Sequence, residues 1–442
     1  MEWSRLPVEI QEQVMSSLLD QAAADGFRIG SLASVNKWWQ AAVECATFRH
    51  LKITPEDFHT FREVTGDQQA RRRSSVRNLW LDLPREESWQ NAPPPVLAQR
   101  INRNFYNNLF LTAVYVLFDI LKDWEASVTS QRRGGSGLEL EISNFLADVK
   151  IPFPGYDSDT IIRMCRMYRY SPMLLDWRRV DDEDQQIVAS GVFDPVPAVT
   201  SFRVSRHPSK GFTTLALAVI MASFPNLKHL HLNKAHWEVW YTEERVIDEM
   251  QYWPNSLESI SVRQGPSQLS PASREESARV PSQLAETFAR RSVSMKEINA
   301  HGVFEALDFF QGCCEDPADS PAASSKLQVL TMTSDHMCPS GSDKFQLETL
   351  LTTAARAASR MPQLTLMELF SSDGRYGALF RYKKGRDSRA TISWVGSWKY
   401  GLSEDVKIAW LAFAEIIRVN LIFVPEIYLD FKLDYVRHGL TE

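Results

Sequence analysis

The sequence predicts an α/β fold in which short parallel strands recur, most of them preceded by a helix. Three observations carry this prediction. Apolar residues return at the first, fourth and sixth positions of short segments: Leu227, Leu230 and Leu232; Leu257, Ile260 and Val262; Met295, Ile298 and Ala300; Leu327, Leu330 and Met332; Leu364, Met367 and Leu369. Their starts lie 30, 38, 32 and 37 residues apart, and Val76, Leu79 and Leu81 form an earlier relative. Stretches of helix-forming composition precede most of them, at 212–224, 244–252, 283–291 and 345–360, and Pro225, Pro254 and Pro362 stand just before three of the strands. A strand of this kind cannot bury its apolar positions alone; stacked copies with covering helices give a continuous core. A plain α/β domain whose buried strands start with Leu accounts for the same segments.

The chain has 442 residues, which at ~150 residues per domain allows about three domains or one elongated array. An apolar fraction of 44% with 24% charged residues is that of a globular protein and excludes disorder as the state of the whole chain. Forty-nine Lys and Arg against 55 Asp and Glu leave a net charge of -6, a poor balance for gripping a long run of phosphates. The five cysteines, Cys45, Cys165, Cys313, Cys314 and Cys338, show no C-x-x-C spacing and point to a reducing compartment. The N-terminus is not a charged run followed by an apolar stretch, and the longest apolar run, Leu109–Phe118, is too short to span a bilayer and reads as a buried helix. A cytoplasmic or nuclear location is expected.

In chain order, Leu6, Ile10, Val14 and Leu18 repeat every four residues along one helical face, with Ser4 as a cap and Pro7 in the first turn. Gly26 and Gly30 separate this helix from a second stripe at Leu32, Val35 and Trp39, and Phe48 and Leu51 mark a third short element. Three small helical pieces make a thin core that is marginal by itself; units of this size often rely on a partner to complete their burial, and an N-terminal helical cap of a larger domain accounts for the same periodicity. The run Leu6-Pro7-Val8-Glu9-Ile10, then Val14 and Leu18, then Val35 and Trp39 four residues apart, then Phe48, resembles the F-box. The Ala-rich stretch at 20–30 departs from that motif, lacking its usual Asp-Leu pair. The resemblance implies a module that docks on a Skp-type adaptor and through it on a cullin scaffold. By the same resemblance Leu6, Pro7, Ile10, Val14 and Leu18 supply apolar contact, and Val35 and Trp39 hold the small core or join the interface.

Residues 1–52 are therefore assigned to the F-box, 53–137 to a connecting strand and helix region, and 138–442 to the repeats, with Pro- and Ser-rich loops at 264–282 and 314–325. The recurring strands resemble an irregular leucine-rich-repeat solenoid with a parallel sheet. The Asn expected after each last Leu is replaced by Ala235, Gly265, Asp335 or Ser372. Residues 378–382 and 389–395 alternate around the basic tip 383–387 and predict a β-hairpin. Ser403 then caps a last helix with Val406, Trp410, Phe413 and Ile417 on one stripe. This order of parts is similar to fungal F-box proteins with leucine-rich-repeat-like C-terminal regions.

Catalytic signatures are absent: no G-x-S-x-G, no G-x-x-x-x-G-K-[ST], no G-x-G-x-x-G and no H-E-x-x-H. His229 and His231 alternate with Leu230 and Leu232 and have no Cys or carboxylate close in sequence, so they read as exposed sheet histidines; His336 and Cys338 read alike. Arg71–Arg73 and Arg132–Arg133 read as solvated turns, and Trp80 and Trp410 as core. No cofactor or metal is expected. The resemblance implies a non-catalytic substrate-recognition subunit of a Skp–cullin–F-box ubiquitin ligase whose concave repeat face binds an unidentified protein substrate, with neither nucleic acid nor membrane as partner. The positions between the inward apolar residues are the candidate substrate contacts: His229, His231, Ser259, Ser261, Arg263, Glu297, Asn299, Thr331, Thr333 and Glu368. An interaction scaffold whose F-box acts outside ubiquitin transfer is the alternative.

Overall fold

A computed structural model of the protein describes residues 7–24, 29–66, 69–82, 112–124, 137–143, 193–205, 214–233, 247, 250–263, 282–315, 325–338, 344–372 and 377–428. The chain divides into two compact units, Met1–Pro208 with Val219–Leu227, and Ser209–Ala218 with Lys228–Glu442. Both are α/β, and their strands are mostly parallel.

The first unit opens with α1 (Val8–Ala24), a 3₁₀ turn at Ile29–Ser34 and α2 (Lys37–Arg49). Asn36 caps α2, its side-chain oxygen accepting from the backbone N–H groups of Trp38 and Trp39 at 2.9 and 3.0 Å. Strand β1 (His50–Ile53) follows α2 without a break; α3 (Phe58–Thr65), α4 (Ala70–Ser75) and β2 (Asn78–Asp82) come next. Residues 112–121 are helical, as expected of the apolar run there, and bury Val114, Leu117, Phe118 and Leu121. With β3 (Leu138–Ser143) and β4 (Val199–Ser205) the strands pair in parallel and in chain order, placing Leu51, Leu79, Leu140 and Phe202 in one row and Ile53, Leu81, Ile142 and Val204 in the next. Phe118 joins these rows to the core, 5.2 Å from both Phe193 and Phe224.

The second unit continues the pattern. Helix α5 (Thr214–Ala222) is divided between the two units; in the second, β5 (His229–Asn233), β6 (Ser259–Arg263), β7 (Glu297–His301), β8 (Val329–Thr333) and β9 (Leu366–Ser372) pair in parallel, each with the next. The apolar positions anticipated from the sequence fall in register: Leu230, Ile260, Ile298, Leu330 and Met367 form one row, Leu232, Val262, Ala300, Met332 and Leu369 the next, all buried. The residue after each leading apolar position carries a second ladder. The carbonyls of Lys228, Glu258, Lys296 and Gln328 each accept from two backbone N–H groups of the following strand segment, at 2.7–3.2 Å.

Helices α6 (Gln283–Ser292), α7 (Ala306–Glu315), α8 (Lys344–Ala358) and α9 (Glu404–Ile416) accompany these strands. Helix α7 was not anticipated from the sequence. It lies so close to α6 that a Cβ on Gly312 would stand 3.1 Å from the Glu286 Cα. The expected hairpin is present as β10 (Gly377–Lys384) and β11 (Arg389–Gly396); β10 also runs antiparallel to β9. Trp410 and Phe413 of α9 pack on its buried side, 5.6 and 5.3 Å from Tyr382, and Trp410 Nε1 donates to the Leu351 carbonyl. Ser403 stands at the start of α9 as expected, but its hydroxyl makes no capping bond. Strands β12 (Asn420–Phe423) and β13 (Ile427–Tyr428) pair in parallel along β11.

Several expectations from the sequence are corrected. Arg71–Arg73 lie in α4 rather than in a solvated turn, and Arg72 is ion-paired to Glu44. Trp80 is not core: it lies half-buried between the inward Leu79 and Leu81, with the Lys52 ammonium 4.2 Å above its ring. His336 and Cys338 lie in and at the end of a 3₁₀ turn (Asp335–Met337) rather than exposed on a strand, His336 half-buried and Cys338 buried. The expected loops at 264–282 and 314–325 fall mainly outside the described residues, as do Ser4, Leu6 and Arg132–Arg133.

Candidate functional site

Two surfaces hold the sequence-derived site residues, one in each unit. The first is on α1. Its burial runs against its apolar spacing: Gln11 and Met15 face inward, while Ile10, Val14 and Leu18 are 42%, 37% and 42% exposed. Residues i, i+4 and i+8 form one stripe, so these side chains line up on the solvent side. Pro7 is exposed at the head of the stripe, and its carbonyl accepts from the N–H groups of Ile10 and Gln11 at 3.0 Å. Val35, just before α2, is 59% exposed. Trp39 is half-buried, edge-on to Trp38 with ring centroids 6.1 Å apart. Fully burying side chains of this size is worth ~1.5–3 kcal/mol each, so a partner that covered the stripe would gain several. Behind it, α2 is tied to α4 by Arg72 and Glu44 at 2.8 Å; the Arg72 hydrogen bond holds the Glu44 carboxyl below its usual range.

The second surface is the sheet face of the second unit opposite the inward apolar rows. Strand partners share a face, so the alternate positions of β5–β9 form polar rows. His231, Ser261, Asn299, Thr331 and Glu368 are consecutive partners; His229, Ser259 and Glu297 form a second row. A third row includes Arg263, which pairs with His301, and Thr333, which pairs with Phe370. All ten sequence-derived contacts therefore lie on one face. Ser259, Thr331 and Glu368 are buried by their neighbours, His229 and Arg263 are exposed, and the other five are half-buried.

Within these rows the polar groups bind one another. Glu297 accepts from Asn299 Nδ2 at 2.7 Å and from the Ser259 hydroxyl at 3.4 Å. Glu368 accepts from Arg381 Nε at 2.6 Å. Lys296 holds Glu258 at 2.6 Å beside the rows, which lowers the Glu258 carboxyl pKa.

The ends of β7 and β8 carry two groups that sequence reasoning missed. His301 closes β7 with its ring edge-on to Phe370 at 4.9 Å. Burial, and secondarily the Arg263 charge, push its pKa down to about 4, so the ring is neutral at pH 7. Gly302 then takes φ 68, a left-handed conformation suited to glycine, and donates its N–H to Thr333 Oγ1 at 2.6 Å. Glu305 accepts from the Ser334 hydroxyl and from the Asp335 N–H at 3.0 Å, fixing the turn after β8; burial raises its carboxyl pKa. Its oxygens are occupied by this turn, which makes the role architectural. Both groups acquire their properties from contacts distant in sequence, and no local pattern marks them.

Among the described residues no group of three or more His, Cys, Asp or Glu is placed to hold a metal ion. No described helix is long and apolar enough to cross a membrane. Residues 242–430, which contain β6–β13 and α6–α9, match the model of a family of unknown function (DUF6546). No curated protein matches the chain. The matched region thus includes most of the polar sheet face and none of the α1 stripe.

Proposed function

We propose that the chain is a non-catalytic substrate-recognition subunit of a Skp–cullin–F-box ubiquitin ligase. In this reading residues 1–52 are an F-box that docks on a Skp-type adaptor, and residues 138–442 are a leucine-rich-repeat-like region that holds a protein substrate on its open sheet face, in the cytoplasm or nucleus. The observation that carries the reading is the exposed row Ile10, Val14 and Leu18 beside Pro7, an apolar helical stripe left in solvent. A helix of this kind fits the groove-and-helix mode of recognition, in which apolar anchors at helical spacing enter a partner. Its residues coincide with those that carry the F-box resemblance. The in-register polar rows support the second half of the reading, since they give a broad face of mixed hydrogen-bonding groups.

The test is co-expression of the full chain with a Skp-type adaptor and a cullin, followed by affinity purification. Recovery of both partners is expected, and Leu6→Ala with Pro7→Ala should reduce it sharply. Recovery of the adaptor without cullin would favour an interaction scaffold acting outside ubiquitin transfer. No recovery of the adaptor would remove the docking claim.

A further inference from the structure

The open face of the second unit changes character along the sheet. On the β5–β8 side it presents His, Ser, Asn, Thr and Glu. On the β9–β13 side Phe370, Leu379, Val395 and Ile427 are direct register partners and form one continuous apolar row. None of the four is buried, and Ile427 is 48% exposed. These residues alternate with the inward row of Leu369, Phe380 and Trp394, so they do not belong to the core. His301, edge-on to Phe370, links this row to Arg263, its partner on β6.

The charges of the same face point one way. On β6–β11 it holds Arg263, Arg381, Lys383 and Arg389 against Glu297 and Glu368, although the whole chain has a net charge of -6. Glu368 is taken up by Arg381, and Glu297 by Asn299 and Ser259. Arg263 and Lys383 are exposed, and neither has an ion-pair partner among the described residues. An apolar row flanked by uncompensated cations, on a chain that is otherwise acidic, fits a ligand carrying the opposite charge and its own apolar side chains.

We propose that this face captures an acidic protein segment bearing aliphatic or aromatic residues, the apolar side chains seated on Phe370, Leu379, Val395 and Ile427 and the carboxylates directed to Arg263 and Lys383. The proposal rests on reading the face as the substrate-capturing surface and adds the chemical class of what it captures. From β6 to β13 there are six inter-strand steps, about 29 Å at ~4.8 Å each, so an extended segment lying across the strands needs about nine residues. Opposite charge accelerates encounter and sets specificity, while the apolar row supplies the slow release.

The experiment uses the full chain and two pools of fluorescein-labelled twelve-residue peptides, one of Asp, Glu, Leu, Phe, Gly and Ser, the other with Lys in place of Asp and Glu. Anisotropy titrations should show the acidic pool binding roughly ten-fold tighter or more, a preference that weakens as salt is raised. Arg263→Glu with Lys383→Glu, both at exposed positions, should abolish the preference, and Leu379→Gln should weaken the acidic pool while leaving thermal unfolding unchanged. Equal binding of the two pools, a preference that survives the charge reversal, or tighter binding of a single-stranded oligonucleotide of the same charge would overturn the proposal. Adaptor co-purification on the same preparations is expected to be untouched by these variants, so a failure of docking at α1 and a failure here are separate results.

Discussion

Arg381 Nε donates to Glu368 Oε1 at 2.6 Å across the antiparallel β9–β10 pair, where the sheet of the second unit leaves its parallel order. Glu368 is 9% exposed, so its carboxylate depends on this partner. Removing the carboxylate strands the guanidinium on a half-covered face. Glu368→Ala is expected to lower stability by about 1–3 kcal/mol, the usual cost of an unsatisfied polar group. Glu368→Gln, which keeps an acceptor, should cost less than half as much. Urea unfolding of the two variants beside the parent checks the order; equal losses would show that packing rather than the pair matters.

Gly312 makes a second prediction. An added Cβ would meet the Glu286 Cα at 3.1 Å and the Ala289 Cβ at 3.2 Å, so any larger side chain must push α7 off α6. Gly312→Val is expected to destabilise by about 1–3 kcal/mol, as overpacking does. The Tm should fall accordingly, and a helix-propensity gain from replacing glycine would have the opposite sign.

The cap on α2 is testable in isolation from any partner. Asn36 satisfies the N–H groups of Trp38 and Trp39, and Asn36→Ala is expected to cost about 1 kcal/mol. Asn36→Ser should recover most of it. Chemical denaturation of parent and variants, followed by far-UV circular dichroism, checks the order.

His301 gives a pH dependence. Its folded pKa of about 4 lies below the ordinary 6.5, chiefly because burial disfavours the charged ring. Between those values the unfolded chain holds a proton that the folded chain does not. The stabilisation is therefore fully present above pH 6.5 and is lost as the pH falls toward 4. Parent and His301→Gln stabilities, compared at pH 7 and pH 5, should differ more in pH sensitivity than in stability at pH 7. A parent chain with the same pH 7 to pH 5 change as the variant would contradict the assignment.

The inward face of β5–β9 was legible because burial leaves a periodic trace: Leu230, Ile260, Ile298, Leu330 and Met367 are partners in the sheet as well as equivalents in the pattern. Strands β1, β3 and β4 leave a weaker trace: Leu140 and Ile142 on β3 follow Gly137 where an apolar residue is expected. Val199, Phe202 and Val204 on β4 have Phe and Val where Leu was sought. Phe48 and Leu51 resemble the end of the helical module, yet Leu51 lies on β1 as the partner of Leu79, with Ile53 opposite Leu81. Trp80 was misplaced because an aromatic between two inward leucines looks like core in a list of residues, whereas strand alternation sends it to the other face. Helix α7, with Phe309 and Phe310 buried and Cys313 and Cys314 at its end, lacked a clear start signal. His301 and Glu305 were illegible for a different reason: what distinguishes them is burial by Phe370, Ser334 and Asp335, more than 28 residues away in sequence.

The exposed stripe of α1 is proposed to dock on a Skp-type adaptor. This docking is tested most directly by isothermal titration of a purified Skp-type adaptor into the full chain and into Ile10→Asp with Leu18→Asp. Both positions are exposed, so the variant should unfold at the parent's temperature. A one-to-one complex is expected with the parent, and a loss of affinity of roughly a hundred-fold or more in the variant, as for buried apolar anchors. No binding by the parent, or equal binding by the variant, would contradict the docking.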